Sequence, residues 1–176
     1  CGGWLPRYRP TTIKHASEVI ETNCVPKAFF FDRVSPCALK LSEWAREAGS
    51  LVIFEPSSIG DERQFQKAVD ASHVLKYSHD RLGHLPDLAK ISGPNIIIET
   101  HGIDGLKVKW RSRWSTLPAI EANRVGDEAG SGDWCTAALI HTIGEGGSQA
   151  LESLKKDRLE YGVRLGPATD GNIWGV

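Results

Sequence analysis

The chain has 176 residues, is 40% apolar, and carries 21 Lys plus Arg against 22 Asp plus Glu for a formal net charge of -1. That length and apolar fraction support one domain with a real core, and the near-neutral balance excludes a basic coat for nucleic acid or anionic lipid. The longest apolar runs, Ala28 to Phe31 and Asn95 to Ile98 among them, are strand-sized and far below the roughly 20 residues of a spanning helix, so a soluble cytoplasmic protein is expected.

Residues 1–10 read as an arm broken by Pro6 and Pro10, and from Thr11 the pattern turns helical, with Ile13, Ala16, Val19 and Ile20 on one face and Thr11 or Thr12 as cap. Ala28 to Phe31 is a strand. Ser35 and Pro36 then supply a cap and a first-turn proline for a helix carrying Ala38, Leu41, Trp44, Ala45 and Ala48, stopped at Gly49. Leu51 to Phe54 is a second strand, and Asp61 opens a helix with Phe65, Ala68 and Val69. His73 to Tyr77 is a third strand, leading into a helical stretch near Asp80 to Ile91 interrupted by Pro86. Asn95 to Glu99 is a fourth, and its unbroken Ile96, Ile97 and Ile98 suit burial on both faces. Leu106 to Arg111 and Leu117 to Glu121 read as further strands joined by a turn at Ser112 and Arg113. Helices from Ser131 to Thr142 and Ser148 to Val163, separated by the Gly144 to Gly147 loop, close the chain.

Strands alternating with helices call for a mostly parallel sheet covered on both faces, a three-layer α/β/α arrangement of Rossmann type. In such a sheet the ligand site lies beyond the carboxyl ends of the strands. Asp32, Glu55, Ser78 and Thr100 each follow a predicted strand, so they should gather on one rim. Each alone would pass as an ordinary loop polar or cap.

The most informative segment is Asp127-Glu128-Ala129-Gly130-Ser131-Gly132-Asp133-Trp134, ahead of a strongly apolar helix. Glycines at 130 and 132 allow close backbone approach, and the first N–H groups of a helix have no internal partner, so they point outward as anion donors. An aspartate beside a phosphate makes sense if it takes a proton from an attacking hydroxyl, the part of a base in phosphoryl transfer. A glycine-rich loop with a capping Asp is the plainer account of the same residues.

Asp127 to Asp133 resembles the D-T-x-G-A-G-D signature of the PfkB/ribokinase family of carbohydrate kinases, and Thr100-His101-Gly102-Ile103-Asp104-Gly105 resembles its upstream T-x-G-x-x-G nucleotide turn. Two motifs in the right order are more specific than either alone. The likeness runs from about Phe29 to the end, including Phe54-Glu55-Pro56-Ser57, similar to the family's D-P-N segment, and Val74 to Ser78, where the family has a strand leading to N-x-x-E. The resemblance implies Asp133 as catalytic base, the backbone of Ala129, Gly130, Ser131 and Gly132 as anion hole, and Thr100, Gly102, Gly105 and Ser78 around the nucleotide. It implies ATP with magnesium as cofactors and transfer of the terminal phosphoryl to a hydroxyl of a sugar or nucleoside-like acceptor.

The departures are specific. Glu128 replaces the family's Thr, Ser131 replaces Ala, and at N-x-x-E the chain has Ser78-His79-Asp80-Arg81, so Arg81 stands where an acidic group organises magnesium through water. Asp80 or Glu55 would have to compensate. Nothing matches the family's N-terminal part, which supplies most of the acceptor pocket. The chain is thus expected to be one ribokinase-like domain over 1–176, partial, with an arm and helix at 1–27 and a nucleotide-binding core at 28–176. A non-catalytic nucleotide-binding or regulatory module is the alternative. Self-association is left open.

The absence of methionine and the start at Cys1 fit processing or, given the motif order, a cut from a longer reading frame. Cysteines 1, 24, 37 and 135 form no C-x-x-C pair, so neither a structural zinc nor a disulfide framework is expected. Cys1-Gly2-Gly3 could also be a lipid-bearing start, against which the lack of a Ser-rich tether weighs. Cys135 and His141, six residues apart on one helix, lie about 240° apart and suit core packing better than a nucleophilic pair. The six histidines offer no H-x-x-x-H or H-E-x-x-H spacing, so no transition-metal site is expected. Lys107, Lys109 and Arg111 alternate beside Trp110 and Trp114, a track for single-stranded nucleic acid or, more simply, a charged edge hairpin.

Overall fold

The computed structural model describes residues 12–82, 93–119 and 130–168. The expected arm at 1–10, the helical stretch beyond Leu82, and Asp127, Glu128 and Ala129 lie outside the described residues. Among the described residues, six strands form one sheet in sequential order, β1 (Ala28–Phe31), β2 (Leu51–Phe54), β3 (Val74–Ser78), β4 (Ile96–Thr100), β5 (Leu106–Trp110) and β6 (Arg113–Leu117). The first four strands are mutually parallel, and β5 and β6 are antiparallel additions.

The helices start where the chain supplies caps. The Thr12 side chain accepts from His15 N–H ahead of α1 (Ile13–Thr22), Ser35 from Ala38 N–H ahead of α2 (Pro36–Glu47), and Asp61 from Gln64 N–H ahead of α3 (Glu62–Ala71). Each satisfies one of the orphan donors of a first turn, worth about 1 kcal/mol. The fourth helical stretch is one short turn among the described residues, α4 (His79–Leu82). α5 spans Ser131–Ile143, and the last expected helix divides into a 3₁₀ turn at Gly147–Leu151 and α6 (Lys156–Ala168).

Alternation along the central strands builds the two cores. Leu51, Ile53, Val74, Ile96 and Ile98 face Cys135, Leu139 and Ile143 of α5 and Leu159 and Val163 of α6. Val52, Phe54, Leu75, Tyr77 and Ile97 face Leu39 and Ala45 of α2 and Phe65, Ala68 and Val69 of α3. The unbroken apolar runs follow from this: a strand buried on both faces has no polar side. Each fully buried Leu, Ile or Phe stabilises the fold by roughly 1.5–3 kcal/mol. α1 packs outside this layer against α2, where Lys40 Nζ donates to Ser17 Oγ.

The hairpin differs from expectation. The last strand among the described residues is Arg113–Leu117, ending where the expected strand Leu117 to Glu121 begins, with Ile120 and Glu121 outside the described residues; the turn is Arg111–Ser112 rather than Ser112 and Arg113, with positive φ of 48° and 63°. A two-residue loop with both residues left-handed matches the twist of the flanking strands. Arg and Ser carry no glycine or asparagine signal, so nothing local marks the turn at its true position. Arg111 thereby leaves the alternation with Lys107 and Lys109, and its guanidinium lies 4.5 Å over the Trp110 ring instead.

Candidate active site at the carboxyl rim of the sheet

Because β1 to β4 are parallel, Asp32, Glu55, Ser78 and Thr100 share one rim, as the alternation implies. Asp32 is exposed there beside Arg33, whose Nε lies 3.7 Å from Oδ2. Thr100 pairs with Ser78 across the β3–β4 ladder, and its hydroxyl donates to Tyr77 O at 3.4 Å.

Glu55 is committed. One oxygen accepts from Nζ of Lys76 and the other from Oγ1 of Thr136 on α5. Lys76 also donates to Gly132 O at 3.0 Å, and Thr136 back-bonds to the same carbonyl at 3.2 Å. The first turn of α5 is thus fastened to the ends of β2 and β3 by a buried ion pair. Lys76 and Thr136 are site residues that the motifs do not single out. A charged residue inside an otherwise apolar strand is the available signal, since lysine is almost never fully buried unless paired.

The glycine turn arrives on this mount. Gly130 has φ 91°, a left-handed conformation that opens the helix without strain only for glycine, and no side chain among the described residues caps the helix. The first hydrogen bond of α5 runs from Trp134 N–H to Gly130 O at 3.0 Å. The N–H groups of Ser131, Gly132 and Asp133 precede that first bond, so they form the positive end of a 13-residue helix. Asp133 is exposed in this first turn. Ala129, the fourth expected member of the anion hole, is outside the described residues.

The upstream motif forms a tight turn after β4. Residues Gly102–Asp104 are one 3₁₀ turn, closed by His101 N–H to Gly105 O at 2.8 Å and Gly105 N–H to Gly102 O at 3.1 Å. Gly102 stands in open space, with Ile103 beside it 87% exposed. Gly105 does not: a Cβ there would sit 2.2 Å from Leu117 O, so this glycine serves the close approach of the turn to β6.

Magnesium prefers hard oxygen donors and retained waters. Glu55 does not fit that part, because Lys76 and Thr136 already hold both its oxygens. Asp80 is exposed on α4. The rim groups that do converge are His79, Glu99 and His101, a nitrogen-rich set. Asp80 thus remains the rim carboxylate whose solvent-facing oxygens suit a magnesium ion held largely through water. His79 and His101 follow neighbouring strands, so the parallel ladder joins residues that no short motif connects.

Cys135 behaves as a core residue. It is 3% exposed, its thiol donates to Val163 O at 3.3 Å, and burial pushes its pKa up, against a smaller lowering from Lys76 and with a further rise from Glu55. Among the described residues no helix is long and apolar enough to cross a membrane.

No protein-family model matches the chain, and no curated protein matches it in sequence. Solved structures do. A nucleoside kinase from Methanocaldococcus jannaschii, described as an archaeal member of the ribokinase family, superposes with a TM-score of 0.64 at 20% identity, covering 89% of this chain and 52% of that one. Aminoimidazole riboside kinase from Salmonella enterica gives 0.61 at 19%, covering 80% and 53%. An uncharacterised sugar kinase from Pyrococcus horikoshii, solved with ATP, gives 0.63 at 18%, covering 86% and 52%. The chain has the α/β/α fold of these ribokinase-type kinases and spans about half their length.

Proposed function

We propose that the chain provides the nucleotide-binding half of a ribokinase-type phosphotransferase, which passes the terminal phosphoryl of ATP to a hydroxyl of a sugar or nucleoside-like acceptor. The observation that carries this reading is the mounting of α5. Its uncapped first turn, opened by Gly130, is fixed on the strand rim by Lys76 and Glu55 with Asp133 exposed beside it.

Such N–H donors are held in place before charge develops, and preorganised donors of this kind contribute more than any other single effect in many transfers, roughly 3 kcal/mol each. The N–H groups of Gly132 and Asp133 would receive the phosphoryl oxygens, joined by that of Ser131 and, by the resemblance, Ala129. Asp133 would accept the proton of the attacking hydroxyl. Thr100, Gly102, Gly105 and Ser78 would border the nucleotide, and exposed Ile103 offers an apolar surface for its base.

One observation favours a second reading, a nucleotide-binding module without turnover. Arg81 stands in the place of the family's acidic group, and Glu55 is neutralised by Lys76. Phosphoryl transfer from radiolabelled ATP to a panel of sugars and nucleosides separates the two, with the wild-type chain compared with Asp133→Asn, alone and joined to an acceptor half. Transfer lowered by a factor of about 100 or more in Asp133→Asn supports the kinase. Nucleotide binding with no Asp133-dependent transfer in either form would falsify it.

A further inference from the structure

His79 opens α4 directly after β3, and Glu99 and His101 flank Thr100 at the end of β4. One ligand atom from each lies within 4.8 Å of the others. Nδ1 of His79 is 2.7 Å from Oε1 of Glu99, and Nε2 of His101 is 3.5 Å from Oε2. Both carboxylate oxygens are thus turned toward imidazole nitrogens, and the two rings stack with centroids 4.5 Å apart and planes at 23°.

Two further observations point to a ligand. Nε2 of His101 is buried and makes no hydrogen bond to any described residue, and a buried polar atom left so costs about 1–3 kcal/mol. Glu99 keeps only 9% of its side chain exposed, so its charge calls for a cation held nearby. One ion held between the two rings answers the carboxylate and the orphan nitrogen together.

We propose that His79, Glu99 and His101 form a site for a zinc-class divalent ion such as zinc, cobalt or nickel. Metal–nitrogen bonds of about 2.0–2.1 Å place two ligands of one tetrahedral ion about 3.3 Å apart. The 2.7 and 3.5 Å approaches are to different oxygens of Glu99, and one ligand atom from each of the three residues lies within 4.8 Å of the others, so the side chains must rotate inward to close on one ion. Two imidazoles and one carboxylate suit zinc-class ions, whereas magnesium takes carboxylate, carbonyl and water. Three protein ligands leave a fourth position open, and His79, 48% exposed, admits water to it. That the open position meets a nucleotide phosphate rests on the function proposed above; ion binding itself does not.

The test is performed without nucleotide. Equilibrium dialysis of the full chain against zinc chloride, with the metal measured by elemental analysis, is paired with visible absorption on titration with cobalt chloride. The expected results are one tightly held ion per chain, a cobalt spectrum of low coordination number, and no displacement by a hundredfold excess of magnesium. His101→Asn and Glu99→Gln should each weaken binding at least tenfold, as should His79→Ala at its exposed position, while His15→Ala on α1 should not. Metal-free melting curves of the variants check that they fold, and His79→Ala alone decides the matter should a buried variant fail. Unchanged ion binding in His79→Ala, or displacement by equimolar magnesium, would overturn the proposal.

Discussion

Lys76 Nζ, with 2% of its side chain exposed, donates to the Glu55 carboxylate from the adjacent strand. Lys76 is enclosed by protein while Glu55 keeps 21% of its side chain exposed, so the lysine depends on the pair more than the glutamate does. Lys76→Met leaves a partly exposed Glu55 without its cation and should destabilise the chain by about 1–3 kcal/mol, and adding Glu55→Gln should restore part of the loss. Chemical denaturation of the single and double variants measures both. Because Lys76 also holds Gly132 O, the single variant should loosen the first turn of α5, read as faster amide exchange there.

The two glycines of the turn after β4 predict unequal sensitivities. Gly102 has φ 57° and open space around it, so Gly102→Ala should cost roughly 1 kcal/mol of left-handed strain. Gly105→Ala adds a Cβ 2.2 Å from Leu117 O to the same kind of strain and should exceed about 4 kcal/mol. Melting temperatures of the pair check the ranking.

His73 supplies a pH dependence. Its Nδ1 accepts from Val52 N–H at 3.0 Å, and burial, aided by the Arg46 charge, lowers its pKa to about 4 from 6.5. Between those values the unfolded chain binds a proton that the folded one refuses, so stability falls as pH drops from about 6.5 to about 4 and this contribution is flat outside that window. The loss is on the order of 3 kcal/mol. Urea titrations across that range should show it, and His73→Asn, whose side-chain oxygen can still accept from Val52, should flatten the slope.

At the β5–β6 turn, replacing Arg111-Ser112 by Asn-Gly should stabilise the chain by about 1 kcal/mol. Both positions have positive φ, which Asn and Gly adopt more readily. The gain is net of the Arg111 contact with Trp110, worth about 0.5–1 kcal/mol at an exposed site. Thermal unfolding of the double variant against wild type is the measurement.

Much of the fold is legible in the chain because it is local. Ser35, Asp61 and Thr12 announce their helices within three residues, and the apolar runs of β2 and β4 mark strands buried on both faces. The rim of Asp32, Glu55, Ser78 and Thr100 follows from alternation alone. What escapes a reading of the sequence depends on which strands become neighbours. Glu55, Lys76 and Thr136 are joined only after β2, β3 and α5 assemble, and His79 meets His101 only because β3 lies beside β4. The turn at Arg111-Ser112 escapes for another reason: its left-handed backbone is imposed by strand pairing on residues that do not ask for it.

The strand order carries a consequence for how the molecule is made. Each strand from β2 to β6 pairs with the one just before it, so the sheet can grow in the order of synthesis. α5, by contrast, must travel back from beyond β6 to reach Glu55 and Lys76. The glycine turn that opens α5 is therefore completed late, and any ligand that binds there would report on the last step of folding rather than the first.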